Sequence, residues 1–163
     1  MGSGKTTAGE TVAAALGRPL LDSDAQVEAR TGRTVREIFE SDGEAAYRVL
    51  ERAALIDALD RTEPSVVAAA GGVVLDPENR AALKRSGTVI WLRASPEVLA
   101  SRVDGGQDHR PLLAGDAVGT LTRLDRERRA LYEEVADHVL DIDDLGPEET
   151  AAAVLELVGE IRS

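Results

Sequence analysis

The chain opens with the stretch MGSGKTT, in which two glycines precede a lysine and a pair of threonines. These residues match the end of the pattern G-x-x-x-x-G-K-[ST], whose glycines let backbone N–H groups turn towards phosphate oxygens. A loop of this kind lies between a buried β-strand and a helix. The stretch therefore predicts a nucleoside triphosphate site in front of a helix that begins near Lys5. The first glycine of the full pattern would fall two positions before Met1, so we expect the first strand to be missing from this chain.

Apolar runs that read as strands alternate with helical patterns along the rest of the sequence. The strand candidates are RPLLDSD, PSVVAAAGG, TVIWL and HVLDI. Helical spacing of apolar residues is found between these runs, and residues 24–61 read as a helical insertion with breaks at TGRT and SDGE. Strands that alternate with helices indicate an α/β fold with a parallel sheet.

Composition excludes several classes of protein. The 163 residues fit a single domain, 1–163, and include no apolar run long enough for a membrane span. A formal net charge of −11 argues against a nucleic-acid partner, because backbone binding needs clustered Lys and Arg. The sequence has no cysteine and shows no signal peptide, so we expect a cytoplasmic protein without disulfides or thiolate metal sites.

Two carboxylates follow the apolar run RPLL. Asp22 and Asp24 are two positions apart, which places them on the same side of an extended segment. Ligands gather at the carboxyl edge of an open parallel sheet, so one acid can hold Mg²⁺ while the other meets a substrate hydroxyl. The alternative is structural: Asp24 would cap a helix, and Asp22 would lie in a solvated turn.

The chain resembles the shikimate kinase family over nearly its whole length. The matching stretches, in the order of the family, are MGSGKTT, LLDSDAQVEARTGRTVREIFESDGEAAYRVLE, AAAGGVVL, TVIWLRAS, the second RPLL of the chain (110–113) and RERRALYEEVAD. The resemblance implies transfer of the γ-phosphoryl group of ATP to the 3-hydroxyl of shikimate, a step towards chorismate and the aromatic amino acids. It also implies a P-loop NTPase-type three-layer fold with strand order 2-3-1-4-5, in which the missing first strand would be the central one.

The resemblance assigns roles to individual residues. The residues implied for nucleotide binding are Gly2, Ser3, Gly4, Lys5, Thr6, Thr7, Arg102 and Arg110. Those implied for shikimate are Asp24, Arg48, Gly71, Gly72 and Arg128, and Val35, Phe39 and Tyr47 would form the apolar wall of the pocket. Thr6 and Asp22 would hold Mg²⁺. Lys5, Asp24 and Arg110 would act in catalysis, with Asp24 orienting or deprotonating the attacking hydroxyl.

Two glycine-containing segments add to these assignments. Residues 104–116 are rich in glycine around Arg110-Pro111 and are predicted to form a lid over the phosphates. The family usually has three glycines where this chain has Ala70, Gly71 and Gly72. A left-handed backbone at Ala70 would cost roughly 1 kcal/mol, so this departure puts shikimate binding in question.

Alternatives to shikimate remain open at this point. A related kinase for another polyol acid, such as gluconate, would use the same arginines, and an impaired nucleotide-binding module would explain both Ala70 and the missing strand.

We expect a monomer that binds a small molecule, with neither a membrane nor a nucleic-acid partner. We also expect the natural protein to begin roughly ten residues earlier, since a strand and a lead-in need about that length. The form given would then be weakly folded or prone to aggregation.

Overall fold

The structure is a computed structural model, and it describes residues 2–104 and 116–161. The helices are α1 (Lys5–Leu16), α2 (Ser23–Thr31), α3 (Val35–Leu59), α4 (Pro77–Ser86), α5 (Pro96–Asp104), α6 (Ala117–Val135) and α7 (Pro147–Ile161). The strands are β1 (Leu20–Asp22), β2 (Val66–Ala68), β3 (Ile90–Arg93) and β4 (His138–Asp141). A 3₁₀ helix, Gly71–Leu75, follows β2. Strands and helices alternate as the sequence predicts.

The strands of the described ranges form two separate parallel pairs. β1 pairs with β2, with Leu20 opposite Val66, and β3 pairs with β4, with Ile90 opposite His138. The prediction of an α/β fold with parallel strands is confirmed. The order 2-3-1-4-5, and with it a central strand between the two pairs, is not confirmed by this pairing.

The helical insertion forms where the sequence predicts it and breaks at glycines. Gly32 ends α2 in a left-handed conformation (φ 67°). Thr34 then begins α3 with a capping box, in which its hydroxyl and the Glu37 carboxylate each accept a backbone N–H. Within α3, Gly43 has φ 83° and ψ 172°, which interrupts the helix at the predicted SDGE break. The second half of α3 is thereby set at its own angle to the first.

Separate apolar clusters hold the insertion and the nucleotide-side helix in place. In the insertion, Val27, Ile38, Tyr47 and Ala54 are buried together. The helix that follows the phosphate loop, α1, packs on α7, and Ala8 and Val12 of α1 contact Ala151 of α7. A third cluster joins α3 to the 3₁₀ helix, α4 and α6, and its buried members are Leu55, Val73, Val74, Leu83 and Val135. No helix in the described part of the chain is both long and apolar enough to cross a membrane.

Candidate active site

The glycine-rich start of the chain has the backbone geometry of an anion-binding loop. Gly2 and Gly4 have φ values of 72° and 69°, a region that side-chain-bearing residues rarely adopt. Gly2 also lies against α5, where a Cβ would come within 2.7 Å of the Leu99 carbonyl oxygen. Helix α1 begins directly after Gly4, and its first turn carries no acidic residue. Unpaired N–H groups at this helix start and the Lys5 ammonium together favour a bound phosphate.

Thr6 and Asp22 meet at this loop. The Thr6 hydroxyl donates to Asp22 Oδ2 over 2.7 Å. The other oxygen of Asp22 accepts from the backbone N–H groups of Asp24 and Ala25 and so caps α2. The helix cap considered for Asp24 therefore falls on Asp22, which has the extended backbone of a cap residue (φ −95°, ψ 124°).

This pair fits the requirements of Mg²⁺. The ion binds oxygen ligands, and beside nucleotides it commonly takes one or two protein groups together with phosphate oxygens and water. A hydroxyl and a carboxylate oxygen 2.7 Å apart, next to the start of α1, supply the protein part of such a site. Their mutual hydrogen bond would be exchanged for metal coordination.

Asp24 lies in the first turn of α2 and not in a strand, because β1 ends at Asp22. The period-two argument for the two carboxylates is therefore wrong; the helix cap joins the Asp22 carboxylate to the backbone N–H of Asp24 instead. Between them, the buried Ser23 hydroxyl accepts from the backbone N–H of Ala70 over 3.0 Å, which ties this turn to the segment after β2. The Asp24 Oδ1 atom accepts from the Tyr47 hydroxyl over 2.5 Å.

Arg48 is held by two carboxylates of its own helix. Its Nη1 donates to both oxygens of Glu51, at 2.9 and 2.8 Å, and its Nη2 donates to Glu44 over 2.8 Å. Glu51 is almost completely buried, at 1% exposure, and this burial raises its pKa, although the charge of Arg48 opposes the shift. Glu44 is exposed, so only one of the two partners is fixed in the interior.

Two guanidinium groups flank the glycine pair that follows β2. The Arg48 guanidinium occupies the space that a Cβ on Gly72 would fill, and Arg128 Nη1 would lie 3.9 Å from a Cβ on Gly71. Arg128 is 8% exposed, and its buried Nε has no hydrogen-bond partner among the described residues. A buried donor of this kind is costly unless a ligand satisfies it. The two arginines therefore form a receptor suited to a carboxylate.

The backbone at Ala70 is unstrained. Its φ of −64° and ψ of 145° lie in the ordinary extended region, and no described residue other than glycine has a positive φ. The left-handed conformation considered for this position is therefore not adopted. Alanine in place of a glycine here carries no conformational cost. Backbone strain at Ala70 is therefore no longer a reason to question shikimate binding.

One open cleft of about 1290 Å³ brings most of the predicted residues together. Its lining includes Ser3 and Lys5 from the loop, Asp24 from α2, and Arg48, Gly71, Gly72 and Arg128. Val35, Phe39 and Tyr47 line the same cleft, as expected for its apolar wall, and Phe39 packs on Tyr47 with ring centroids 4.7 Å apart.

Other predicted residues lie elsewhere. Thr7 is exposed in the first turn of α1. Arg102 Nη2 donates to the carbonyl oxygens of Ile142 and Leu145, at 2.7 and 3.0 Å, and so fixes the segment after β4. A contact between Arg102 and adenine stays a prediction. Arg110 and residues 105–115 of the predicted lid lie outside the described residues.

Sequence reasoning missed two polar groups of this cleft. Glu51 follows Arg48 by three positions, a spacing at which helical side chains meet, so the pair could have been predicted. The Tyr47 hydroxyl had no such signal, because Tyr47 fits the apolar pattern of α3 and its partner is 23 positions away.

Comparison with known proteins places this geometry in a family. The family described as Shikimate kinase matches residues 1–159. The shikimate kinase of Symbiobacterium thermophilum is 43% identical over 98% of this chain and 92% of its own length. The shikimate kinase of Caldanaerobacter subterraneus subsp. tengcongensis is 42% identical over 95% of this chain and 90% of its own length.

Solved structures agree with these matches. The structure of Acinetobacter baumannii shikimate kinase in complex with shikimate has a TM-score of 0.92 and 35% identity, and the match covers 98% of this chain and 89% of that one. Shikimate kinase from Aquifex aeolicus has a TM-score of 0.82 and 31% identity, over 99% and 94% of the two chains. The family match covers nearly the whole chain and does not bear out the predicted shortening relative to the family. The chain belongs to the shikimate kinase family.

Proposed function

We propose that this protein transfers the γ-phosphoryl group of ATP to the 3-hydroxyl of shikimate. The observation that carries the proposal is the shared cleft, in which Lys5 of the phosphate loop, the Asp24 carboxylate and the Arg48 and Arg128 guanidiniums line one space. Phosphoryl transfer depends mainly on positioning and on neutralising charge, and these groups supply both. Membership of the family and the shikimate complex of the Acinetobacter relative support the same reaction.

The loop end of the cleft would hold the nucleotide. The N–H groups at the start of α1 and the Lys5 ammonium would bind the phosphates of ATP. Thr6 and Asp22 would hold Mg²⁺, which when bound neutralises charge on the β- and γ-phosphates. Arg102 and Arg110 are proposed as further nucleotide contacts, Arg110 from the predicted lid of residues 104–116.

The other end of the cleft would hold shikimate. Its carboxylate would lie between Arg48 and Arg128, where the buried Nε of Arg128 has no partner among the described residues. Gly72 allows the Arg48 guanidinium to approach, and Gly71 leaves room for the Tyr132 hydroxyl. Asp24 Oδ2 accepts no hydrogen bond from the described residues and is the atom that would accept the proton of the attacking hydroxyl.

The two alternatives are not favoured. Relatives that cover almost all of this chain at 42 and 43% identity are shikimate kinases, which argues against gluconate as substrate. The unstrained Ala70 removes one reason to expect an impaired module. A single domain with a substrate-binding insertion at 24–61, a monomeric state and a cytoplasmic location belong to the proposal.

A coupled assay of ADP release, with shikimate, with gluconate and without either acid, tests the reaction. We expect release to depend on shikimate and Mg²⁺. Asp24→Asn should keep ATP affinity and lose about 100-fold or more in turnover, because its side chain no longer accepts a proton. Asp57→Asn, an exposed carboxylate paired with Arg30, is the matched control and should retain turnover. Equal ADP release with and without shikimate would overturn the proposal.

A further inference from the structure

The hydroxyl of Tyr47 is the polar end of a residue that is otherwise core. Tyr47 is 3% exposed, and it belongs to the buried cluster of the insertion with Val27, Ile38 and Ala54. Phe39 packs on its ring, and the Arg48 guanidinium lies 5.4 Å from the ring centroid. These contacts fix the ring, so the position of its hydroxyl is fixed as well.

This hydroxyl acts as a donor towards Asp24. Burial raises the pKa of Tyr47, and the nearby carboxylates of Asp24 and Glu51 raise it further, against a smaller opposing effect of Arg48. The phenol therefore keeps its proton. It therefore donates to Asp24 Oδ1, over 2.5 Å.

The hydrogen bond gives the two oxygens of Asp24 different environments. Oδ1 is occupied by Tyr47, whereas Oδ2 has no partner among the described residues. A carboxylate otherwise rotates about its terminal torsion with little preference. A fixed donor on one oxygen removes that freedom and leaves the other oxygen without a partner among the described residues, on a side chain that lines the cleft.

We propose that Tyr47 is a positioning residue that acts through Asp24, holding its carboxylate so that Oδ2 meets the attacking hydroxyl of the substrate. This inference rests on the proposed function. It assigns to Tyr47 a polar role in addition to its place in the apolar wall. Glu51 has a different part, because it holds Arg48 and not Asp24.

Tyr47→Phe tests the inference, because it removes the hydroxyl and keeps the ring on Phe39. We expect kcat to fall about tenfold, with KM for ATP and for shikimate changed by no more than about twofold, since a loosely oriented group slows chemistry more than binding. Thermal unfolding of the variant shows whether it is folded. The matched control is Thr31→Val, which removes a hydroxyl bonded to the Val27 carbonyl at the far end of α2 and should retain kcat.

The double variant Asp24→Asn with Tyr47→Phe separates positioning from a general structural effect. If Tyr47 acts through Asp24, the double variant should be no slower than Asp24→Asn alone, because residues that act as a unit are not additive. Effects that multiply, an unchanged kcat in Tyr47→Phe, or an equal loss in Thr31→Val would overturn the inference. Wild-type protein without shikimate-dependent ADP release would overturn the proposed function and this inference with it, a result distinct from the others.

Discussion

The guanidinium of Arg48 lies against the backbone of Gly72, in the space that a side chain at that position would fill. Gly72 has no positive φ, so its lack of a side chain matters for close approach and not for backbone conformation. The neighbouring Gly71 accepts a hydrogen bond from the Tyr132 hydroxyl at its carbonyl oxygen. The missing side chain of Gly72 thus makes room for a charged guanidinium, and Gly71 contacts a tyrosine hydroxyl.

Gly72→Ala should displace Arg48 and weaken shikimate binding. We expect KM for shikimate to rise about tenfold, since a hydrogen bond to a charged group contributes roughly 1.5–3 kcal/mol, while KM for ATP stays unchanged. Steady-state kinetics with each substrate varied in turn measures the effect. Gly87→Ala is the control, because a Cβ there meets open space and its φ of 165° is extended. An unchanged KM for shikimate would show that Arg48 does not bind the substrate.

Glu44→Gln should strengthen shikimate binding. Glu44 is an exposed carboxylate on Arg48 Nη2, where it competes with the substrate carboxylate, while Glu51 stays paired in the interior. Removing its charge should lower KM for shikimate about two- to threefold, the small effect typical of exposed ion pairs. Glu40→Gln, which breaks the exposed pair of Arg36 and Glu40, should change nothing. A higher KM in Glu44→Gln would mean that Glu44 supports the binding geometry of Arg48.

Arg128→Ala should act mainly on shikimate. The variant removes a guanidinium whose buried Nε has no hydrogen-bond partner in the described part of the chain. Calorimetric titration should therefore show affinity for shikimate reduced about tenfold or more and affinity for ATP retained. Arg123→Ala on the same helix, where the side chain is exposed and pairs with Glu127, is the control. Equal losses for both ligands would point to a collapsed cleft instead of a lost contact.

Ala70→Gly should bring no gain in affinity for shikimate. The alanine already has an ordinary extended backbone, so glycine relieves no strain. Glycine instead loses more conformational freedom on folding, and we expect the free energy of unfolding to drop by roughly 0.5–1 kcal/mol. Calorimetric titration and denaturant unfolding of both proteins check this. A marked rise in affinity would require a different backbone in the bound state.

Asp22→Ala should affect both stability and metal dependence. Loss of the α2 cap should reduce the free energy of unfolding by about 1 kcal/mol. Loss of the carboxylate beside Thr6 should also raise the Mg²⁺ concentration needed for half-maximal turnover. Asp76→Ala removes the corresponding cap of α4, away from the phosphate loop, and should reproduce only the loss of stability. The same Mg²⁺ dependence in both variants would remove Asp22 from the proposed metal site.

Much of this protein could be predicted from its sequence. Helix α1 begins at Lys5 as predicted, and the insertion breaks at its glycines, because apolar spacing and caps act within a few residues of each other. The loop residues from Gly2 to Thr6 were identifiable for the same local reason. Resemblance to the family added Arg48 and Arg128, which an acidic composition alone would leave among ordinary salt-bridged arginines.

The tertiary structure alone decided the contacts between residues that are far apart in the chain. Packing of the insertion brings the Tyr47 hydroxyl to Asp24, and packing of α3 on the segment after β2 brings Arg48 to Gly72. Ala70 likewise donates its backbone N–H to the Ser23 hydroxyl, 47 positions earlier. Local spacing carries no information on such pairs, since they form only when separate elements fold against each other. The sequence alone thus determined which elements and motif residues are present, and the folded chain determined which of those residues meet.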